Sequence, residues 1–458
     1  MIPLTKVVEI SPTTRHEGHS KLVLKVNEAG IIETGNWCSI TPVRGVEKLA
    51  IGKTMEQVPK IASRVCGICP VAHTLAGIES MEASIKCEIP RDAKLLRHIL
   101  QLGNRLHSIA LHDILILPDM YLPGTDMKIN PFSAEEPVRS VAKRIQRIRE
   151  IGQTLCQLSG GEAIHPSNPR IGGMYKACSP VAKTKMYDLA KEGLVLAHEQ
   201  MDFMIAILRN FQNRDWSEVG GMKVQIPKNL GYHNQGYMAT DPFYGSSSLD
   251  DNPTWDMDRF KEVRPWDWYM GETEVTLAEP RYPIGGTTPV GTKVNPQMEA
   301  CTGIPLYDGQ PVEVGPRARL VKYKGFDEKG TIGQNIAREM EFTDCLYSMI
   351  DAIDEYNPAG KVLADFIPQG DGSLGWAANE APRGTDVHIA QVKDGKVQYY
   401  SMLVPTTWNF ATCSAALAGA PWQLAEVVVR GYDPCVSCAT HMIVLDEDER
   451  IVAQRLIQ

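Results

Sequence analysis

The chain has 458 residues, 43% of them hydrophobic and 22% charged, enough to bury a large core in one big domain or in about two or three smaller ones. Its net charge of -8, with no clustered Lys/Arg stripe, argues against nucleic acid as a ligand. No uncharged apolar run reaches the roughly 20 residues that span a bilayer, and 1–30 alternates charged and apolar residues instead of opening as a signal peptide, so the expectation is a cytoplasmic chain with no transmembrane segment, membrane-associated only through partners.

In 20–26 apolar and polar residues alternate, Asn27-Glu-Ala-Gly30 is a turn signal, and 31–40 runs extended again, which predicts a hairpin. After Arg44-Gly45 the pattern turns helical, and Pro70 is placed to begin a helix over 71–85. Helical periodicity follows in 92–117, 134–158, 181–211 and 331–356; in the first, Leu95, Ile99, Leu102, Leu106 and Ile109 recur every three or four residues, a stripe that buries one face. Between 214 and 302 the chain is rich in Gly, Pro and aromatics and reads as ordered irregular structure. Strands at 387–392 and 397–403 flank an Asp394-Gly395 turn. The fold class expected is α+β and predominantly helical, a long-helix bundle core with small peripheral β-sheets. No linker or repeat divides it.

Eleven cysteines are few for this length and do not make a secreted disulfide scaffold. Two Cys-x-x-Cys pairs stand at opposite ends of the chain, in Arg64-Val-Cys66-Gly-Ile-Cys69-Pro-Val-Ala-His73 and in Asp433-Pro-Cys435-Val-Ser-Cys438-Ala-Thr-His441. Each is followed by a histidine. The first pair precedes a helix N-terminus, where backbone amides lower thiol pKa. Structural zinc sites gather their pairs within about 15 to 20 residues, unlike this whole-chain gap, and neither pair has the βαβ context of a redox dithiol. Soft thiolates suit nickel, copper(I), zinc and iron alike, and spacing does not choose among them.

The flanking residues do choose. Together the two motifs resemble the paired signature of nickel-iron hydrogenase large subunits, and the resemblance continues in family order through Arg15-His-Glu17-Gly-His19, Arg44-Gly-x-Glu47, Glu380-Ala-Pro-Arg383-Gly and Val404-Pro-Thr-Thr-Trp-Asn409. It covers essentially the full chain. Ile164-His-Pro, Pro305-Leu-Tyr-Asp-Gly and Val314-Gly-Pro-Arg-Ala-Arg319 are most similar to the branch of that family that serves coenzyme F420 in methanogenic archaea.

The resemblance implies that Cys66 and Cys435 bind nickel terminally while Cys69 and Cys438 bridge nickel to an iron carrying carbon monoxide and two cyanides. Such a centre keeps about two negative charges, which a buried site must compensate. Arg383 is the implied counter-charge, with Pro405 and Thr406 cradling a cyanide and His73 bonding a bridging sulfur. Glu17 is implied as first proton acceptor from Cys435, since a carboxylate beside a metal-bound thiolate can relay protons in short hops. Glu47, His441 and the carbonyl near Met402 resemble a magnesium-type site of hard donors. One departure stands out: where many relatives carry His-Asp, this chain has His107-Ser108, leaving Asp433 as the main carboxylate partner of Arg383. Read singly, several of these residues have dull explanations: an arginine in a Pro-Arg-Gly turn is usually a surface residue, and Thr-Thr-Trp usually strand.

The implied activity is reversible heterolytic oxidation of dihydrogen. The other seven cysteines form no cluster-binding ladder, so the electrons are expected to leave through [4Fe-4S] clusters of a gamma-type small subunit and FAD of a beta-type subunit that reduces F420. The catalytic unit is expected to be a single domain, 1–441, with 442–458 a maturation extension that an endopeptidase removes after His441. Alternatives in view are another acceptor, such as a heterodisulfide reductase, a viologen-type dye or NAD, and a non-catalytic zinc scaffold.

Overall fold

The computed structural model describes residues 6–41, 46–216, 229–243, 260–263, 304–439, 444–445 and 451–453. An antiparallel sheet opens the chain: β1 (Lys6–Ile10), β2 (Ser20–Val26) and β3 (Ile32–Ser39), with β2 in the middle. The predicted hairpin is there, and its turn is closed by Asn27, whose Oδ1 accepts the N–H groups of Ala29 and Ile31 at 3.0 Å each. Leu22, Leu24 and Val26 carry the sheet's apolar face into the core.

Short helices α1 (Val46–Ala50) and α2 (Val58–Ser63) lead to α3 (Pro70–Ile85). Pro70 begins α3, where its missing N–H costs nothing. Then come the long helices α4 (Arg91–Ile116), α5 (Val138–Gly160) and α6 (Pro180–Asn213), the short α7 (Pro316–Lys324), and α8 (Gly330–Glu355). Helix α4 packs along α5, and α6 along α8, which α4 also touches. The α4–α5 crossing is close enough that a Cβ on Gly152 would meet the Gly103 carbonyl oxygen at 2.7 Å.

The predicted stripe of α4 is buried, all five side chains at 1% exposure or less, each contributing about 1.5–3 kcal/mol by leaving water. Yet α4 does not have one buried face and one wet one. Its polar row Arg97, Gln101, Arg105, Ser108 and His112 is buried as well, at helical spacing. Such a row can be buried only if it is partnered. That row is what α4 presents to the second sheet and to the C-terminal loop.

The second sheet is the meander β4 (Asp371–Ala381), β5 (Gly384–Lys393), β6 (Lys396–Leu403), and α3 packs against it. Asp394 and Gly395 both have positive φ, 52° and 72°, as the predicted tight hairpin turn requires. Strand β4 was not expected; its glycines and mixed polarity hide it. The chain ends in α9 (Pro405–Leu417), α10 (Ala425–Gly431) and α11 (Val436–Ala439). Thr406-Thr-Trp408 does not take the strand that these residue types suggest in isolation: Val404 is extended, as a residue before proline should be, and Pro405 starts a helix. Most of the irregular stretch predicted for 214–302 falls outside the described residues; 214–216, 229–243 and 260–263 are described. Among the described residues no helix is long and apolar enough to cross a membrane. The architecture is the expected α+β one, half helix with small separate sheets.

Candidate metal centre

The two distant cysteine pairs meet. Sγ of Cys66 lies 3.1 Å from Cys435, Cys69 lies 3.5 Å from Cys438 and 4.0 Å from Cys435, and Cys435 lies 2.9 Å from Cys438. All four are unpaired thiols no more than 5% exposed, with their sulfurs within 4.8 Å of one another. No pair approaches the roughly 2.05 Å of a disulfide. A metal bound at about 2.3 Å in tetrahedral geometry puts thiolates roughly 3.8 Å apart, and the wider pairs are near that separation. Soft sulfur donors in a dry site fit nickel and iron.

Each pair is seated by its local chain. Cys69 caps α3, and the N–H groups of Ile68 and Cys69 point at the Cys66 sulfur from 3.2 and 3.5 Å. Hydrogen bonding from Cys435 first, then from the other thiols, holds the Cys66 thiol well below its ordinary pKa despite burial. Burial pushes the Cys435 and Cys438 thiols up instead. The Cys435 amide donates to Thr406 Oγ1 at 2.9 Å, tying the second pair to the start of α9, where Pro405 is also buried.

Glu17 reaches this pair from the N-terminus. Its backbone runs beside Cys435 as a parallel bridge, with Glu17 N–H to the Pro434 carbonyl at 3.2 Å and Val436 N–H to the Glu17 carbonyl at 3.0 Å. The carboxylate Oε2 accepts the Ser437 N–H at 3.0 Å and lies 3.2 Å from Cys435 Sγ. Gly18 makes the approach possible: at φ 80°, a Cβ there would stand 2.7 Å from the Ser437 nitrogen. Asp119 then fastens both ends, pairing with Arg15 and accepting from Arg430 Nε and Nη2 at 2.7 and 3.0 Å. Glu17 itself is only half-buried, so its carboxylate stands between sealed sulfurs and solvent.

Arg383 is 3% exposed and not the surface turn its motif would suggest in isolation. Its Nε and Nη2 donate to the Asp433 carbonyl and Oδ1 at 2.6 and 2.9 Å, and Nη1 to Ser108 Oγ at 3.1 Å. Burial alone would weaken its charge, but Asp433 and the thiolates of Cys435, Cys69 and Cys66 outweigh that and raise its pKa. Asp433 sits at φ 49° and is braced by His112 Nδ1 at 3.2 Å; burial pushes its carboxyl up, but Arg383 and His112 hold it below the usual range. Glu380, fully buried, accepts from Thr240 and Thr385 and from Arg319 Nη1 at 2.9 Å, while Gln101 and Arg105 of α4 donate to its carbonyl at 2.7 Å. The polar row of α4 thus positions Arg383.

His73 Nε2 lies 3.3 Å from Cys438 Sγ and 3.6 Å from Cys69 Sγ. Burial favours the neutral ring, but Asp386 and Cys69 hold its pKa well above the ordinary value. Glu47 Oε1 accepts the Met402 N–H at 2.8 Å and contacts Ser401 Oγ at 3.3 Å, so two of the three residues expected at a magnesium-type site are brought together. His441 and Arg44 lie outside the described residues, as does the boundary expected after His441. Three participants went unnoticed in the sequence: Asp386, His388 and Tyr400. The available signal was two ionisable residues at alternate positions on one face of β5, among apolar neighbours.

A family model described as nickel-dependent hydrogenase matches residues 44–114 and 322–441. A coenzyme F420 hydrogenase alpha subunit of Methanosarcina barkeri is 72% identical over 99% of this chain and 100% of its own length, and that of Methanothermobacter thermautotrophicus is 38% identical over 98% of each. The [NiFeSe]-hydrogenase of Dm. baculatum superposes at a TM-score of 0.75 with 20% identity, covering 95% of this chain and 100% of that one, which is a likeness of fold. With four buried cysteines gathered at one centre and identity of this extent along its whole length, the chain belongs to the nickel-dependent hydrogenase large-subunit family.

Proposed function

We propose that this chain is the catalytic subunit of a complex that oxidises dihydrogen reversibly and passes the electrons to coenzyme F420. The observation that carries the reading is the convergence of four thiols with Glu17 on one side and the Arg383–Asp433 pair on the other. The 72% identity with a protein named for F420 supports that acceptor.

Cys66 and Cys435 would hold nickel terminally, Cys69 and Cys438 would bridge it to iron, and Pro405 and Thr406 would cradle a cyanide. When bound, the metal pair would supply the Lewis acidity and the hydride-accepting capacity that heterolytic cleavage of dihydrogen requires. Everything else falls to the protein. Arg383 offsets the negative charge of the centre and keeps a cation beside it where water cannot screen it. Cys435 takes a proton, and Glu17 at 3.2 Å receives it and hands it outward, being half-exposed. Asp433 holds the Arg383 fork in place. Glu47 with His441 and the carbonyl near Met402 would hold a magnesium-type ion, and removal of 442–458 after His441 would leave 1–441 as the mature catalytic unit. Electrons would leave through iron-sulfur clusters of a small subunit and FAD of a third subunit.

Infrared absorption by bound carbon monoxide and cyanide, with nickel and iron counted in the purified complex, tests the centre, and hydrogen-dependent F420 reduction tests the acceptor. A zinc-only protein would overturn the function. Hydrogen-dependent dye reduction without F420 reduction would move the acceptor to a heterodisulfide or NAD partner. An active mature protein whose intact mass retains 442–458 would defeat the processing step.

A further inference from the structure

Behind His73, on the side away from the sulfurs, three side chains of metal-ligand type converge. Asp386 and His388 alternate on β5, and His73 reaches them from α3. Asp386 Oδ2 stands 2.9 Å from His73 Nδ1, Asp386 Oδ1 stands 3.4 Å from His388 Nε2, and those two ring nitrogens are 3.4 Å apart. All three residues are wholly buried. No hydrogen bond reaches either Asp386 oxygen, and among the described residues no lysine or arginine pairs with it. A carboxylate buried in that way is costly unless a cation offsets it.

We propose that His73 Nδ1, His388 Nε2 and the Asp386 carboxylate bind a divalent transition-metal ion, zinc(II) by their donor set, in addition to the metals of the four-cysteine centre. A metal at about 2.0–2.1 Å from nitrogen and oxygen sets its donors about 2.9 Å apart at right angles and about 3.4 Å apart in a tetrahedron, the range these atoms span. Two imidazoles and a carboxylate are a common zinc set, and one carboxylate oxygen lies beside each ring, so four donors close the site. The hydrogens fall where such a site needs them, because a neutral ring carries one N–H. His388 gives its own to the Tyr400 hydroxyl, 2.6 Å from Nδ1, which leaves the Nε2 lone pair for the ion. His73 gives its own from Nε2 to the sulfurs of Cys438 and Cys69, at 3.3 and 3.6 Å, which leaves the lone pair on Nδ1. Any further proton on the rings would be released on binding, as metal sites generally require. One turn beyond His73, Gly77 leaves the space this arrangement needs, since a Cβ there would stand 2.8 Å from the Tyr400 hydroxyl. The ion would tie α3 to β5. The inference does not depend on which metals the four cysteines hold.

The test is the zinc content of the purified holo-complex by metal mass spectrometry, together with X-ray absorption fine structure at the zinc edge. The expected result is about one zinc per chain with nitrogen and oxygen neighbours at about 2.0–2.1 Å and no sulfur at about 2.3 Å. Asp386→Asn and His388→Gln should lose that zinc, and Glu47→Gln should keep it. Tyr400→Phe should hold it about 10- to 100-fold more weakly against a chelator, and it decides the matter if the other variants fail to assemble. A complex that contains no zinc and takes up none from added zinc chloride would overturn the proposal. So would zinc with sulfur neighbours only, which would belong to the four-cysteine centre, or zinc lost from Glu47→Gln but kept by Asp386→Asn. Nickel and iron counted in the same samples report on the hydrogenase reading separately.

Discussion

Replacing Glu17 by Gln separates proton transfer from architecture. The carboxylate has two contacts, accepting the Ser437 N–H at 3.0 Å and facing Cys435 Sγ at 3.2 Å. A glutamine oxygen can keep the first, and the parallel backbone bridge between residue 17 and Cys435 involves no side chain. The folding cost should therefore stay within about 1 kcal/mol, the net worth of one partly exposed hydrogen bond. An amide cannot take the proton. General acid–base contributions run to about 10²–10⁴-fold, so hydrogen uptake and deuterium–water exchange should fall by that factor, roughly 2.7–5.4 kcal/mol of barrier. The assay is exchange by mass spectrometry beside a nickel and iron count and a denaturation midpoint. Wild-type exchange in a metal-replete Glu17→Gln protein would refute the relay; loss of the metals would show that Glu17 serves structure instead.

Gly18→Ala should detach the same segment, because a Cβ at φ 80° meets the Ser437 nitrogen at 2.7 Å; strain of about 1–2 kcal/mol and crowding of about 1–3 kcal/mol should lower both the melting temperature and exchange. Arg383→Met leaves the Asp433 carboxylate buried without its ion-pair partner, with the His112 ring at 3.2 Å and the more distant Arg338 left to favour its charge, and should cost about 3–5 kcal/mol in urea titration, whereas Arg383→Lys, which restores charge without the fork, should recover part of it. Asp113 is fully buried, with Gln200 donating to it at 2.9 Å; burial raises its carboxyl to about 7, although Glu339, Gln200 and the charge of Arg338 act to lower it. The folded state then holds a proton that the unfolded chain has lost, so this group's stability is present at pH 4 and lost as pH rises through about 7. Asp113→Asn should flatten that decline, and equal urea midpoints for both proteins at pH 5 and at pH 8 would contradict it.

What the sequence reveals and conceals follows from range. The long helices were legible because an apolar stripe such as Leu95 to Ile109 is a local, periodic signal. The four cysteines were legible because their chemistry is rare and their flanks distinctive. Strand β4 was not, since its residues satisfy one another only across β5. The secondary structure at Thr406 and Trp408 is hard to read locally because β-branched and aromatic residues suggest strand, while the Pro405 signal for a helix start is a single residue. Arg97, Gln101 and Arg105 lie off the apolar stripe, where periodicity alone would leave them wet; their partners, Glu82 on the preceding helix and Asn379 and Glu380 on the distant second sheet among them, make burial tolerable. Asp386 escaped notice for the same reason.

The sealing of the four sulfurs, none above 5% exposed, limits what can visit them. Dihydrogen is small enough to diffuse through packed protein and a proton can hop, but an organic acceptor cannot touch these atoms. On the proposed function, isotope exchange would need only the gas and the proton and so would belong to this chain alone. Net oxidation would need a tunnelling partner docked within reach of the centre, and the choice of electron acceptor would then be made on another polypeptide, leaving this one free to keep its chemistry unchanged while its partners vary.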